Sequence, residues 1–319
     1  MNYRLLGSTG LKVSDIGFGA WGIGGLTEGA TSYGATNDAE SKRALLAAYE
    51  HGVTFYDSSD VYGYGHSEEL IGEVFRGKRH EIILATKVGF LKHRGPQVFT
   101  AEHMRKSVEG SLRRLRTDYI DLYQLHSPPL EVVENNGNVL NTLQTLQKEG
   151  KIRAYGMSVK SPEHGLIAVN KWGYKALQVN LNLTDLRADE NGLLELCERE
   201  EVGVIARTPL CFGLLTGRYK EGTSFDKRDH RSTWSAEQIK TWVKATDLFM
   251  KALQNQHDQS PAQICLRFCL SYPAVATVIP GMLKVAEVDD NIVSSDLGAL
   301  SEQEMQTVKN IYHENNFFI

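Results

Sequence analysis

Asp57, Tyr62, Lys87 and His126 are of types that together make a proton-transfer set. A tyrosine hydroxyl is a poor acid near neutral pH, because its ordinary pKa is about 10. A neighbouring ammonium stabilises the phenolate and lowers that value, and a carboxylate holds the ammonium in place. A neutral imidazole can orient or polarise a substrate oxygen. Taken singly, each residue has a plainer reading. A lone lysine after a strand is usually a solvated rim residue, and Tyr62 in the loop Asp60-Val61-Tyr62-Gly63-Tyr64-Gly65 could simply pack. What argues for chemistry is position, since the set is spread over the ends of three successive β-rich runs.

Those runs belong to a repeating unit of short strand, polar or Gly-containing loop and amphipathic helix. The strands are expected at Ile16–Phe18, Thr54–Asp57, Ile82–Thr86, Tyr119–Leu125, Ala154–Met157, Ala176–Val179, Val202–Ala206 and Val275–Ile279. Between them, Ser67 is expected to cap a helix with Leu70, Ile71, Val74 and Phe75 on one face, closed by Gly77. Thr100 opens a helix whose Met104, Val108, Leu112 and Leu115 form an apolar stripe. Leu140, Leu143 and Leu146 mark another helix, stopped at Gly150, and Ser161-Pro162 starts a further one. Strands alternating with helices imply a parallel sheet, because parallel neighbours need a crossover. No Gly-x-Gly-x-x-Gly follows a strand, which disfavours an open dinucleotide-binding sheet. The expected fold is therefore a single (β/α)8 TIM-type barrel spanning 1–319, in which polar groups at the C-terminal ends of strands build the site. An N-terminal β-hairpin, Tyr3–Leu6 and Leu11–Val13 about Ser8-Thr9-Gly10, is placed to plug the barrel floor.

Composition excludes several classes. The 319 residues are 41% hydrophobic and 23% charged, ordinary for a globular domain, with a formal net charge of −4. That balance gives no general attraction to nucleic acid or to an acidic membrane. There is no signal-peptide core in Met1–Gly10 and no apolar run of about 18 residues, so a cytoplasmic protein without a membrane span is expected. Cys197, Cys211, Cys265 and Cys269 read as reduced, buried thiols, and no metal site is expected.

The chain resembles the aldo-keto reductase superfamily over essentially its whole length. The resemblance is carried by Phe55-Tyr56-Asp57-Ser58-Ser59-Asp60-Val61-Tyr62-Gly63, Ala85-Thr86-Lys87-Val88-Gly89, Asp118–His126 and Val278-Ile279-Pro280-Gly281. It implies hydride transfer between a nicotinamide cofactor and a small-molecule carbonyl, and the polarity of Gly217–Ala236 suggests a hydroxylated, sugar-like one. By the same resemblance Tyr62 is the general acid, Lys87 lowers its pKa, Asp57 pairs with Lys87, and His126 orients the carbonyl.

For the cofactor, the resemblance implies contacts from Trp21, Ser158, Gln178, Arg207, Leu210, Gly213, Leu215, Gly281, Lys284 and Asn291. Val159 stands where a companion asparagine of Ser158 is common, and Arg207 stands where an aromatic ring often stacks on the nicotinamide. A guanidinium can stack too, although a cation beside oxidised nicotinamide is unfavourable, which hints at reduction. Lys284 suits a 2′-phosphate and favours NADPH, whereas the carboxylate of Glu287 nearby keeps NADH open. Trp21, Tyr64 and Phe90 are expected in the substrate wall. Gly217–Ala236 reads as a long polar lid whose Arg231 meets an oxygen-rich substrate group. Two other classes stay open: a cofactor-binding regulatory subunit of another protein, and, less favoured, a barrel lyase or hydrolase using Lys87 as a Schiff-base amine.

Overall fold

The structure, a computed structural model, describes residues 1–318 apart from 28, 30, 93 and 254–258. β1 (Tyr3–Leu5) and β2 (Lys12–Ser14) pair antiparallel, with Arg4 opposite Val13. Eight parallel strands follow, each beside the next in sequence: β3 (Phe18–Gly19), β4 (Phe55–Asp57), β5 (Ile83–Val88), β6 (Ile120–His126), β7 (Ile152–Ser158), β8 (Ala176–Asn180), β9 (Gly203–Arg207) and β10 (Val275–Val278). The first and last are joined by parallel bridges at Ile16–Val278 and Gly19–Gly281, and Gly17 N donates to Val278 O at 2.8 Å. The sheet therefore closes on itself, and the expected (β/α)8 barrel is the fold. Ile16, read as part of the first strand, makes the closing bridge instead.

Side chains alternate along each strand, so one set points into the barrel. Its lower layer is apolar: Phe55, Ala85, Leu122, Ala154, Ala176, Ile205 and Ala276. Leu6, Leu11 and Val13 of the hairpin join that same cluster and fill the barrel floor. Their turn sits close against β9, because a Cβ on Gly7 (φ +52°) would lie 2.3 Å from Gly203 N. Two residues further along the strands the inward side chains become polar. Asp57 lies beyond Phe55, Lys87 beyond Ala85, Gln124 and His126 beyond Leu122, Gln178 beyond Ala176 and Arg207 beyond Ile205. The site is thus the upper layer of the barrel interior, resting on an apolar floor.

A larger apolar cluster fills the space between strands and helices. The helix Ala101–Leu115 buries Met104, Val108, Leu112 and Leu115, as its stripe requires, and Thr100 accepts from His103 N to cap it. Truncating such a buried leucine to alanine costs about 2–5 kcal/mol. Ser67 does not cap its helix, which spans His66–Val74 after Gly65 in a left-handed conformation. Its hydroxyl instead donates to Ala20 O at 2.8 Å and contacts Ser58 Oγ, tying the loops after β3 and β4 together. Ser161 precedes Pro162 at the start of Pro162–Trp172 without a side-chain cap. All four cysteines are buried, and burial pushes Cys197 and Cys211 up to about 12.

Candidate active site

β4 and β5 are neighbours in register, with Asp57 opposite Ala85, and this brings Asp57 and Lys87 together inside the barrel. Lys87 Nζ donates to Asp57 Oδ2 at 2.5 Å, to Ser58 O at 2.8 Å and to the Tyr62 hydroxyl at 3.2 Å. An ammonium has three hydrogens and no lone pair, so all three are committed. The Tyr62 oxygen must accept from Lys87, and its own hydrogen is left to point elsewhere. Asp57 Oδ1 accepts from Gln124 Nε2 at 3.0 Å and Gln178 Nε2 at 2.8 Å, so the buried carboxylate is held by one ammonium and two amides.

Tyr62 opens a short turn, Tyr62–Gly65, placed by a close backbone approach. Gly63 has φ +63°, and a Cβ there would lie 2.3 Å from Gly24 O. No other residue type allows that contact between the loops after β3 and β4. Burial pushes the Tyr62 phenol above its ordinary range, and the Lys87 charge only partly offsets this. Lys87 lowers the phenol's pKa as expected, through its charge and its hydrogen bond, but burial is the larger influence. Desolvation of a phenolate exceeds the attraction of one ammonium that Asp57 already neutralises. Burial likewise pulls the Lys87 ammonium down, but Asp57 and Tyr62 outweigh it and leave the net shift upward. A lysine held protonated in this way is a poor Schiff-base nucleophile.

His126 ends β6, and its ring meets Tyr62 edge-on at 5.8 Å and Phe90 edge-on at 4.9 Å. Its Nδ1 lies 3.0 Å from Ser59 Oγ, and its carbonyl accepts from Gln97 Nε2 at 2.6 Å. These residues face a cavity of about 440 Å³ at the C-terminal end of the strands. Its lining includes Trp21, Tyr33, Arg94 and Phe212 together with Ser158, Gln178, Arg207 and Asn291.

The sequence matches the Aldo/keto reductase family over residues 15–313. It is 31% identical over 319 residues to the aldo-keto reductase YhdN of Bacillus subtilis (strain 168), covering 97% of this chain and 93% of that protein. The structure is similar to the glycerol dehydrogenase AKR11B4 from Gluconobacter oxydans, with a TM-score of 0.80, 30% identity, and coverage of 99% and 96%. It is also similar to an aldo/keto reductase from Klebsiella pneumoniae in complex with NADP and acetate, with a TM-score of 0.72, 25% identity, and coverage of 98% and 96%. The chain belongs to the aldo/keto reductase family. As a member it is an oxidoreductase that acts on small-molecule carbonyls with NAD(P)H.

The aldo/keto reductase cavity suits a dinucleotide. Its wall at Phe212 and Gly213 is a run of left-handed backbone, with Cys211 at φ 44°, Phe212 at 57° and Gly213 at 86°. Non-glycine residues are held there at a cost, and the N–H groups of Cys211 and Gly213 are taken by Thr208 O at 3.0 Å and Leu210 O at 2.9 Å. Arg207 is half-buried beside the cavity, and its buried Nε has no hydrogen-bond partner among the described residues. Its other contacts are to Val159 O at 3.3 Å and Asn180 Oδ1 at 3.4 Å, so it is not the salt-bridged rim residue that was the plainer alternative. Gln178 offers less than expected, because its Nε2 is engaged by Asp57 and Gln124.

Several expected residues fall elsewhere. Lys284 is exposed at the start of Val285–Leu297 and does not line the cavity. Of the basic residues that do, Arg218 is the one beside Glu287: its Nη1 donates to Glu287 Oε1 at 2.5 Å while Leu283 N donates to Glu287 Oε2 at 2.7 Å. Tyr64, in a left-handed conformation, turns 48% of its surface to solvent away from the cavity. Leu215 packs into the core rather than the cavity wall, whereas Leu210, Gly213, Gly281 and Asn291 line it. Phe90 packs on the His126 ring and does not itself line the cavity.

Arg231 lines the cavity but is mostly spent on structure. It binds Asp229 through Nε and Nη2, and its Nη1 donates to Phe212 O and the Tyr219 hydroxyl. The segment expected as a lid is anchored here, with His230 N donating to Ser32 O. Gln124, Ser59, Tyr33 and Phe212 were not anticipated. Gln124 could have been, since it lies two residues before His126 on the same face of β6.

Proposed function

We propose that this aldo/keto reductase reduces a hydroxylated, sugar-like aldehyde or ketone with NADPH, using Tyr62 as proton donor, and that the chain acts as one domain in the cytoplasm. The single observation that carries the assignment of Tyr62 is the exhaustion of Lys87 as a donor. Because Lys87 donates to the Tyr62 oxygen, the phenolic hydrogen is aimed away from the lysine, and Tyr62 lines the cavity. A phenol pushed upward by burial stays protonated at neutral pH, as a donor must. As a carbonyl oxygen gains charge, the phenol passes its proton to it, and the adjacent ammonium stabilises the phenolate left behind. Asp57 keeps that ammonium in place, and His126 orients the oxygen. The reduced nicotinamide supplies the hydride when bound, and every proton is handled by the chain.

NADPH is favoured by Arg218. Its pair with Glu287 is made through Nη1, and a guanidinium carries further hydrogens beside the cavity that can meet a 2′-phosphate. The Gluconobacter oxydans and Klebsiella pneumoniae neighbours support a polyhydroxy substrate class and NADP respectively. The test is Tyr62→Phe, which removes one hydroxyl and keeps the ring. Single-turnover hydride transfer should fall about 10²–10⁴-fold, with NADPH affinity changed less than roughly tenfold. Reduction of a good carbonyl substrate at the wild-type rate removes Tyr62 from the role. Tight NADPH binding by the wild type without turnover on a broad carbonyl panel favours the regulatory reading instead.

A further inference from the structure

Behind His126 lies a chain of polar groups that the proton donor does not use. His126 Nδ1 is 3.0 Å from Ser59 Oγ, and Ser59 Oγ is 3.2 Å from Asp60 Oδ1. Asp60 Oδ2 accepts from Ser107 Oγ at 2.6 Å on the helix Ala101–Leu115. Ser59 also accepts from Val61 N at 3.4 Å, which fixes the hydroxyl oxygen and leaves only its hydrogen to choose a direction.

We propose that Ser59 is a positioning residue whose single hydroxyl hydrogen sets the tautomer of His126, with the protonation state of Asp60 setting the direction of that hydrogen. When Asp60 is ionised, Ser59 donates to the carboxylate and accepts from His126 Nδ1–H. The ring's other nitrogen, Nε2, then carries a lone pair. When Asp60 is protonated, it donates to Ser59, Ser59 donates to Nδ1, and Nε2 carries the hydrogen. His126 lines the cavity. An Nε2–H donor suits a carbonyl oxygen in reduction, and an Nε2 lone pair suits an alcohol hydroxyl in oxidation. The inference rests on the proposed role of His126 in orienting the substrate oxygen.

The surroundings allow Asp60 to change state near neutrality. Burial, the largest influence, pushes its carboxyl up to about 7, and the Ser107 hydrogen bond only partly opposes it. From the helix His66–Val74, Glu68 faces it as a like charge, and from Ala101–Leu115 Arg114 faces it as an opposite one. These two are paired, Arg114 Nε to Glu68 Oε2 at 2.7 Å, so they largely cancel. Tyr123 lies on β6 beside the same group. On the cavity side, among the described residues, Tyr62 meets the His126 ring, and Asp57, Arg94 and Arg207 line the same cavity.

The test is the ring ¹⁵N spectrum of His126 in the full chain from pH 5.5 to 9, assigned by its loss in His126→Gln. The expected result is a change from Nε2–H to Nδ1–H with a midpoint near 7. Asp60→Asn keeps its oxygen on Ser107 and presents its amide to Ser59, so Nε2–H should persist at every pH. Ser59→Ala should remove the pH dependence, and Ser59→Thr should restore it. In turnover, kcat for reduction by the wild type should fall about tenfold across the midpoint relative to that of Asp60→Asn measured at the same pH. A tautomer that ignores pH in the wild type, one that titrates unchanged in Ser59→Ala, or a doubly protonated ring below the midpoint would each overturn the proposal. The spectrum needs no turnover, so it stands or falls separately from the assignment of Tyr62.

Discussion

Two buried aspartates, each clamped by cations between neighbouring strands, do different work. Asp121 on β6 accepts from Arg79 Nη2 at 2.6 Å, Arg153 Nη1 at 2.9 Å and Leu84 N at 2.9 Å. Both guanidinium carbons lie 3.9 Å from the centre of the Tyr119 ring. Arg79 spends its other donors on Thr117, Ile82 O and Tyr119 O. Every strong partner there is fixed structure. Asp57 is clamped just as tightly, but its cation hands one hydrogen to a tyrosine that faces a cavity. Burial and pairing do not distinguish a working ion pair from a structural one. What distinguishes them is whether the chain of donors ends on backbone or on a titratable group beside open space.

The largest test of that contrast is Lys87→Met. It leaves Asp57 buried without its cation and Tyr62 without its donor. Hydride transfer should fall about 10²–10⁴-fold, and the fold should lose about 3–5 kcal/mol by denaturant unfolding. Asp121→Ala should cost a similar 3–5 kcal/mol by leaving Arg79 uncompensated, yet the folded protein should keep kcat/KM within about twofold of the wild type. A large catalytic loss in Asp121→Ala would erase the distinction.

The two clamps should also part at high pH, because one uses lysine and the other arginine. Burial opposes the Lys87 charge but its partners raise its pKa overall, so its folded pKa lies above its unfolded one. Its contribution is complete below the ordinary value of about 10.5 and fades as pH rises through the folded value. Stability measured from pH 9 to 11.5 should therefore fall less steeply in Lys87→Met than in the wild type. Asp121→Ala should keep the wild-type slope, since guanidinium does not titrate there.

A smaller effect is expected where the cavity meets Arg218. Arg218→Ala should weaken NADPH about tenfold, or about 1.4 kcal/mol, and NADH by less, as read by fluorescence titration. Equal loss for both cofactors would leave the 2′-phosphate to some other residue. Smallest of all is Glu149→Gln, which cuts the exposed pair with Arg105 and should leave the unfolding midpoint where it is.

The fold and the four reacting side chains were legible because each rests on local pattern. Strand ends placed Asp57, Lys87 and His126 on one face of the sheet, and the alternation of strand with helix allowed the barrel. The turn Ser8-Thr9-Gly10 between two short runs announced the hairpin plug, and the packing shows that Leu6, Leu11 and Val13 fill it. Three-dimensional closure decided the rest. Lys87 lowers the Tyr62 pKa as expected, but desolvation outweighs it and depends on how much of the barrel surrounds the phenol, which no spacing records. Lys284 and Arg218 are both basic and 66 positions apart, and only the path of the loop after β9 puts Arg218 rather than Lys284 beside Glu287. Arg231 showed its charge in the sequence but not its partners, Asp229, Tyr219 and Phe212, which occupy most of its donors. Composition and periodicity report what a residue is and which way it faces, whereas competition for a finite number of hydrogens is settled only when distant segments meet.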